Sequence, residues 1–235
     1  MIDLHSHLVY GVDDGVKNLE ESILMIKAAY DNGYRYLITT PHYIEDSIYS
    51  SPVIKNKEII ELIQNELSLN NIDVKLLLGN EVMFTNNILE LLDSGEIAKL
   101  NNSRYLLIEL TESIVIDTLV DKIDSLINKG IVPVIAHPER YDYIEIDTLK
   151  TLVNHGALLQ MNLGSILGKY GKKVKKRAQK LLKQRLIHVV GSDTHGKDNF
   201  CYQVEARKVV NKIDPIMVEL IFHINPGKIV NNDEI

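Results

Sequence analysis

Residues 1–7 read MIDLHSH, an apolar run that closes on His5 and His7, and the same arrangement recurs along the chain. His42 follows the run YLITTPH, Glu81 follows VKLLLGNE and Glu109 lies within YLLIEL. His137 follows PVIAHPER, and Asp193 and His195 follow IHVVGSDTH. On an extended strand His5 and His7 point to the same face, so one divalent ion can take both imidazoles. Ligand-type residues this far apart in sequence meet only if the strand ends converge, as they do at the C-terminal mouth of a parallel barrel.

The intervening segments support that topology. β-rich runs at Ile2–His5, Tyr36–Thr40, Val74–Leu78, Tyr105–Leu110, Val132–Ala136, Leu158–Asn162 and His188–Gly191 have the length and Ile/Leu/Val content of strands buried on both faces. Helical patterns alternate with them at Leu19–Asn32, Ile54–Leu69, Asn87–Leu92, Asp117–Asn128, Asp147–Asn154, Lys173–Gln184 and Tyr202–Lys212. Gly33, Gly130 and Gly156 stand where helices should end. Seven βα units argue for an α/β barrel rather than an open sheet. No linker or repeat divides residues 1–235, so one domain is expected. Polar residues 226–235 read as a closing segment or frayed tail.

The formal charge of −6 offers no support for a nucleic-acid binder. No apolar run approaches the ~20 residues of a membrane span, so no membrane insertion is expected. No signal peptide is expected ahead of the first strand. Cys201 is the only cysteine, which excludes an internal disulfide and suits a reducing, cytoplasmic compartment. Oligomeric state is not legible.

Five of the eight histidines fall at strand ends, while His155, His188 and His223 read as structural or surface residues. Imidazoles and carboxylates without thiolates suit zinc, manganese or iron. Eight such ligands exceed the needs of one ion and suffice for two or three. Ions ~3.5–4 Å apart favour in-line displacement at phosphorus, and Glu81 has two oxygens with which to bridge them. Arg140, three residues after His137, is placed to grip a phosphate, with a surface salt bridge to Glu139 or Asp142 as the alternative. In Asp13-Asp14-Gly15 the pair Asp-Gly marks a turn, and its position after the first strand makes one aspartate a candidate ligand. The basic stretch Lys169–Lys180 reads as a solvated helix face, with a docking patch for an acidic or phosphorylated partner as the alternative. Cys201 and Arg207 have the C-x5-R spacing of cysteine-dependent phosphatases. The interior YQVEA lacks glycine, carries a carboxylate and looks helical, so the spacing reads as chance.

Taken together, His5-Ser6-His7, Thr40-Pro41-His42, Gly79-Asn80-Glu81, Ala136-His137-Pro138 and Ser192-Asp193-Thr194-His195 resemble the motifs of the polymerase and histidinol phosphatase (PHP) superfamily. Within it, MIDLHSHLVYGVDDG, TTPHY, NNSRYLLIEL, PVIAHPERYD and HVVGSDTH are most similar to the manganese-dependent protein tyrosine phosphatases of bacterial capsule and exopolysaccharide biosynthesis. That resemblance implies a distorted seven-stranded (β/α)7 TIM-like barrel holding three divalent ions, Mn2+ first, with iron, cobalt or zinc as alternatives. It assigns His5, His7, Glu81 and Asp193 to one ion and Glu81, Glu109 and His137 to a second. Asp14, rather than Asp13, joins His42 and His195 around the third. Arg140 matches an arginine that binds the substrate phosphate. A second family arginine is missing, since Phe200 stands in its place. Lys197 is the nearest replacement and Arg207 a more remote one.

The implied reaction is attack of a metal-activated hydroxide on phosphotyrosine, with no phosphoenzyme. The implied substrate is a phosphotyrosine protein, a bacterial tyrosine kinase that regulates capsule synthesis. Three alternatives remain open: a phosphatase for histidinol phosphate or another small phosphomonoester, a phosphodiesterase or 3′-exonuclease, and a non-catalytic metal-binding or docking protein.

Overall fold

The computed structural model describes residues 1–196 and 200–235. Strands β1 (Ile2–Asp3), β2 (Tyr36–Thr39) and β4 (Lys75–Leu78) form one parallel sheet in the order β1-β2-β4. A second parallel sheet has the order β3-β5-β6-β7-β8-β9. It comprises β3 (His42–Tyr43), β5 (Glu81–Met83), β6 (Tyr105–Glu109), β7 (Val132–Ala136), β8 (Leu158–Asn162) and β9 (Val189–Gly191).

Each of the seven apolar runs contains a strand, but the described residues form nine strands in two sheets rather than one seven-stranded ladder. The extra two arise because the second and third runs kink and continue. The first kink is at Thr40-Pro41, where proline has no N–H for a ladder. The other is at Gly79-Asn80. A Cβ on Gly79 would lie 2.8 Å from Leu100 Cδ2, so any other residue there would displace the Leu100 side chain. Asn80 then satisfies the disrupted backbone: its Nδ2 donates to Pro41 O at 3.0 Å and its Oδ1 accepts from Ala98 N at 2.9 Å. Glu81 N still donates to Pro41 O at 3.2 Å, so the two chains stay paired through the bend and deliver His42 beside Glu81.

The sheets face a shared apolar cluster that draws on nearly every run: Leu4, Ile38, Leu77, Leu107, Val134 and Val189. They also meet where a parallel bridge joins Ser6 to Thr194 and Asp193 N donates to His5 O at 2.9 Å.

Helices α1 (Leu19–Asp31), α2 (Val53–Leu69), α3 (Ile88–Ser94), α4 (Ile116–Asn128), α5 (Ile146–Asn154), α7 (Lys172–Lys183) and α8 (Tyr202–Ile213) correspond to the seven expected ones. Asn18 caps α1 by accepting from Glu21 N at 2.9 Å. On α7 the residues Ala178, Leu181 and Leu182 are buried, while Lys172, Lys176, Lys180 and Lys183 are exposed. Three short helices escape sequence periodicity: α6 (Leu163–Leu167), α9 (Pro215–Glu219) and α10 (Asn225–Asn231). Of the two readings of residues 226–235, the last of these helices favours the closing segment over the frayed tail. Ile229 is fully buried, Asn232 accepts from Arg104 N at 2.7 Å, and the Tyr105 hydroxyl donates to Asp233 O at 2.6 Å. No helix among the described residues is long and apolar enough to cross a membrane.

Candidate metal centre

The convergence expected from strand ends is present in the geometry. His5 and His7 follow β1, His42 and Glu81 open β3 and β5, Glu109 ends β6, His137 follows β7, and Asp193 and His195 follow β9. Their side chains meet around Glu81. Glu81 Oε2 lies 3.0 Å from His5 Nε2, 3.3 Å from His7 Nε2 and 3.2 Å from His42 Nδ1, while Oε1 lies 2.9 Å from His137 Nε2. Asp193 Oδ1 is 3.4 Å from His5 Nε2 and 3.5 Å from His7 Nε2.

Among the described residues, three groups of donor atoms lie close enough to share an ion: His5, His7, Glu81 and Asp193; His42, Glu81 and Glu109; and His7, Asp14, His42 and His195. His137 stands beside the second, 3.6 Å from Glu109 Oε1. His42 faces two groups at once, with Nδ1 toward Glu81 and Nε2 3.5 Å from Asp14 Oδ1. Asp14 Oδ1 is also 3.2 Å from His195 Nε2.

Ring orientation identifies what the centre is built to receive. His5 Nδ1 donates to Gln160 Oε1 at 2.9 Å, so in the neutral ring the Nε2 lone pair faces Glu81 and Asp193. Gln160 Nε2 donates to Asn162 Oδ1 at 2.9 Å, and Asn162 Nδ2 donates to Asp193 Oδ2 at 2.6 Å. The relay therefore runs from one candidate ligand to another. His7 Nδ1 donates to Asp13 Oδ2 at 2.8 Å, and His195 Nδ1 donates to Asp193 O at 3.2 Å. Each of these rings presents Nε2 inward. Glu81 Oε2 is buried among three imidazole nitrogens yet accepts no hydrogen bond. Such a carboxylate oxygen, facing lone pairs, fits a cation.

Electrostatics agree. Burial lowers the His5 pKa, but the Glu81 and Asp193 carboxylates outweigh it and leave it raised to about 9. For His7, burial is likewise overcome, here by the hydrogen bond to Asp13 and the nearby Asp193 and Glu81 carboxylates, and its pKa lies well above the ordinary value. Burial opposes ionisation of Glu81, yet His5 and its other imidazole partners hold its carboxyl well below the usual range. Outer imidazoles behave oppositely: burial lowers both His42 and His195. The centre thus draws in positive charge, which protons on His5 and His7 supply in the ion-free chain and which divalent ions would replace.

Two backbone positions of the described centre carry strain. His137 (φ +33°) and Asp193 (φ +48°) occupy the left-handed region, which costs a non-glycine residue about 1–3 kcal/mol. Gly15 is required for another reason: a Cβ there would sit 2.5 Å from His7 O. Its N–H donates to Asp13 Oδ1 at 3.0 Å, so Asp13-Asp14-Gly15 folds back onto His7. Asp13 orients His7 and Asp14 faces the outer imidazoles.

Arg140 Nη1 lies 3.3 Å from Asp193 Oδ2 in a cleft beside the centre, with its side chain partly exposed. Lys197 lies outside the described residues. The Cys201–Arg207 pair forms no anion cradle: Cys201 is exposed at the start of α8, while Arg207 lies over the Phe222 ring at 5.0 Å. His155 pairs with Asp124 at 2.7 Å, and His188 Nδ1 accepts from Leu159 N at 3.1 Å. Sequence reasoning missed Gln160 and Asn162. The available signal was a pair of polar residues two apart at the end of an apolar strand, LLQMN.

Residues 1–231 match the family model described as capsular polysaccharide synthesis, CpsB/CapC. The tyrosine-protein phosphatase CpsB of Streptococcus pneumoniae is 33% identical over 239 residues, covering 98% of each chain. The tyrosine-protein phosphatase YwqE of Bacillus subtilis is 33% identical over 90% of this chain and 84% of its own. A solved chain from the crystal structures of YwqE and CpsB, described as unique metal-dependent tyrosine phosphatases, superposes with a TM-score of 0.92. It is 31% identical, and the match spans 100% of this chain and 96% of that one.

Proposed function

This chain belongs to the CpsB/CapC family of capsular polysaccharide synthesis, and from that membership we infer that it is a metal-dependent protein tyrosine phosphatase. The observation that carries the chemistry is the buried Glu81 Oε2, 3.0–3.3 Å from three imidazole nitrogens and without a hydrogen-bond donor. Residues 1–235 are read as a single phosphatase domain, and the two sheets as parts of one distorted barrel. Support comes from the shared apolar cluster and the Ser6–Thr194 bridge.

His5, His7, Glu81 and Asp193 would hold one ion, Glu81, Glu109 and His137 a second, and Asp14, His42 and His195 a third. The three donor groups support that number, with His42 able to serve either outer position. Manganese is the metal we assign, on the resemblance to manganese-dependent phosphatases; a donor set of imidazoles and carboxylates suits it, as it also suits zinc or iron. When bound, such ions polarise phosphoryl oxygens and lower the pKa of water to near neutrality.

The chain's own residues do the rest. Arg140 reaches the cleft from the loop after β7, where its guanidinium can take two phosphate oxygens and offset their charge during transfer. The relay through Gln160 and Asn162 holds His5 and Asp193 in place without reorganisation. A tyrosine leaving group has a pKa of ~10, which lightens the demand for a general acid. The substrate we assign is a phosphotyrosine protein, a bacterial tyrosine kinase of the capsule pathway, met in the cytoplasm.

The test is hydrolysis of a phosphotyrosine peptide and of histidinol phosphate by the same preparation. Chelation should abolish turnover of the peptide and Mn2+ should restore it. Faster turnover of histidinol phosphate would replace this reading with that of a small phosphomonoester phosphatase. Metal uptake with no hydrolysis of either would leave a binding protein.

A further inference from the structure

The cleft beside the metal centre has a wall to which nothing above assigns a role. It encloses about 520 Å³ and is lined by Asp193 and His195 from the centre, by Arg140, and by Lys169, Tyr170 and Tyr202. Lys169 and Tyr170 occupy the turn between α6 and α7, bracketed by Gly168 (φ +85°) and Gly171 (φ +96°). Both glycines lie in the left-handed region that other residues avoid. Hydrogen bonds from Gly168 N to Ser165 O (3.1 Å), Lys169 N to Gly164 O (2.9 Å) and Gly171 N to Gly168 O (3.1 Å) close the turn.

That turn presents an aromatic ring in a defined position. One side of Tyr170 rests on Gly164, where a Cβ would come within 2.9 Å of ring carbon Cε2. The Arg140 guanidinium carbon lies 5.4 Å from the ring centroid, and Lys169 Nζ lies 4.9 Å from the centroid of Tyr202. Two cation–ring pairs thus line the cleft. Tyr170 nevertheless keeps 39% of its surface exposed, and it lines the cleft beside the Arg140 guanidinium.

We propose that the Gly168–Gly171 turn is the substrate-selecting wall, with Tyr170 receiving the phenyl ring of a phosphotyrosine whose phosphate meets Arg140. Lys169 is the second positive charge facing that phosphate. This deepens the phosphotyrosine reading and rests on it, because it states what separates aryl from alkyl esters at one metal centre. Ring-on-ring contact is directional and modest, which sets a scale of about 3–10-fold in affinity.

Binding of two non-hydrolysable ligands, benzylphosphonate and methylphosphonate, to the manganese-loaded chain tests this by calorimetry. Tyr170→Ala should weaken benzylphosphonate by about 3–10-fold and leave methylphosphonate within about twofold. Tyr170→Phe should retain the aryl preference, since the ring and not the hydroxyl makes the contact. Lys169→Gln should weaken both ligands alike. Equal loss of both ligands in Tyr170→Ala, or no loss of either, would overturn the assignment, and unchanged binding in Lys169→Gln would remove Lys169 from it. An aryl preference that depends on Tyr170 would support the wall even in a chain that fails to hydrolyse phosphotyrosine, so the two readings fail separately.

Discussion

Gln160 Oε1 lies 2.9 Å from His5 Nδ1, and this contact dictates that His5 turns Nε2 toward Glu81. An uncharged side chain outside the candidate ligand set thereby decides which nitrogen the innermost imidazole offers to the centre. Gln160→Leu should weaken divalent-metal binding by about 10–100-fold, read by competition titration with a chromogenic chelator. Gln160→Glu keeps an acceptor for His5 and should lose less. Equal affinities in all three proteins would deny the relay a part in metal binding.

Asp14 faces His42 and His195 from a half-exposed position, so its loss should spare the fold and the two inner ion positions. In Asp14→Ala, metal content measured by mass spectrometry should fall by about one ion per chain, without a shift in melting temperature of the ion-free protein. Unchanged content would exclude Asp14 from the ligand set.

Arg140→Ala should lower kcat/KM for a phosphotyrosine peptide by about 10–100-fold, the scale of a lost charge-assisted phosphate contact. Its guanidinium is partly exposed and is itself no metal donor, so metal content should hold. Unaltered kinetics would make Arg140 a structural partner of Asp193.

Cys201→Ser should leave turnover within about twofold. The residue opens α8, whose regular backbone cannot curl around an anion as a cysteine phosphatase loop does. Complete loss of activity would point to thiol chemistry.

His188 supplies a pH signature away from the centre. Burial lowers its pKa from 6.5 to about 4. Above pH 6.5 the ring is neutral in both folded and unfolded chains and costs nothing. As pH falls from 6.5 toward 4, the unfolded chain takes up the proton first, so folding stability declines, by up to about 3 kcal/mol. His188→Asn keeps an acceptor for Leu159 N and should flatten this decline in ion-free denaturant titrations between pH 4 and 7. Parallel pH profiles for the two proteins would assign the acid sensitivity elsewhere.

The amino-acid order by itself determined which residues could gather at the centre. Strand periodicity and the placing of His, Asp and Glu at the ends of apolar runs are local properties of the chain, and a parallel topology converts them into a common rim. Only the tertiary structure decided how those residues are oriented. Asp13 reaches His7 across a turn, Gln160 meets His5 from 155 positions away, and Tyr170 enters the cleft because two glycines bend the α6–α7 turn toward Arg140. The kinks at Pro41 and Gly79, which split two expected strands across two sheets, likewise depend on cross-chain contacts such as Asn80 with Pro41 and Ala98. Period and composition carry no record of such distant pairings, so the residues that gather at the centre were legible in advance and the groups that aim them were not.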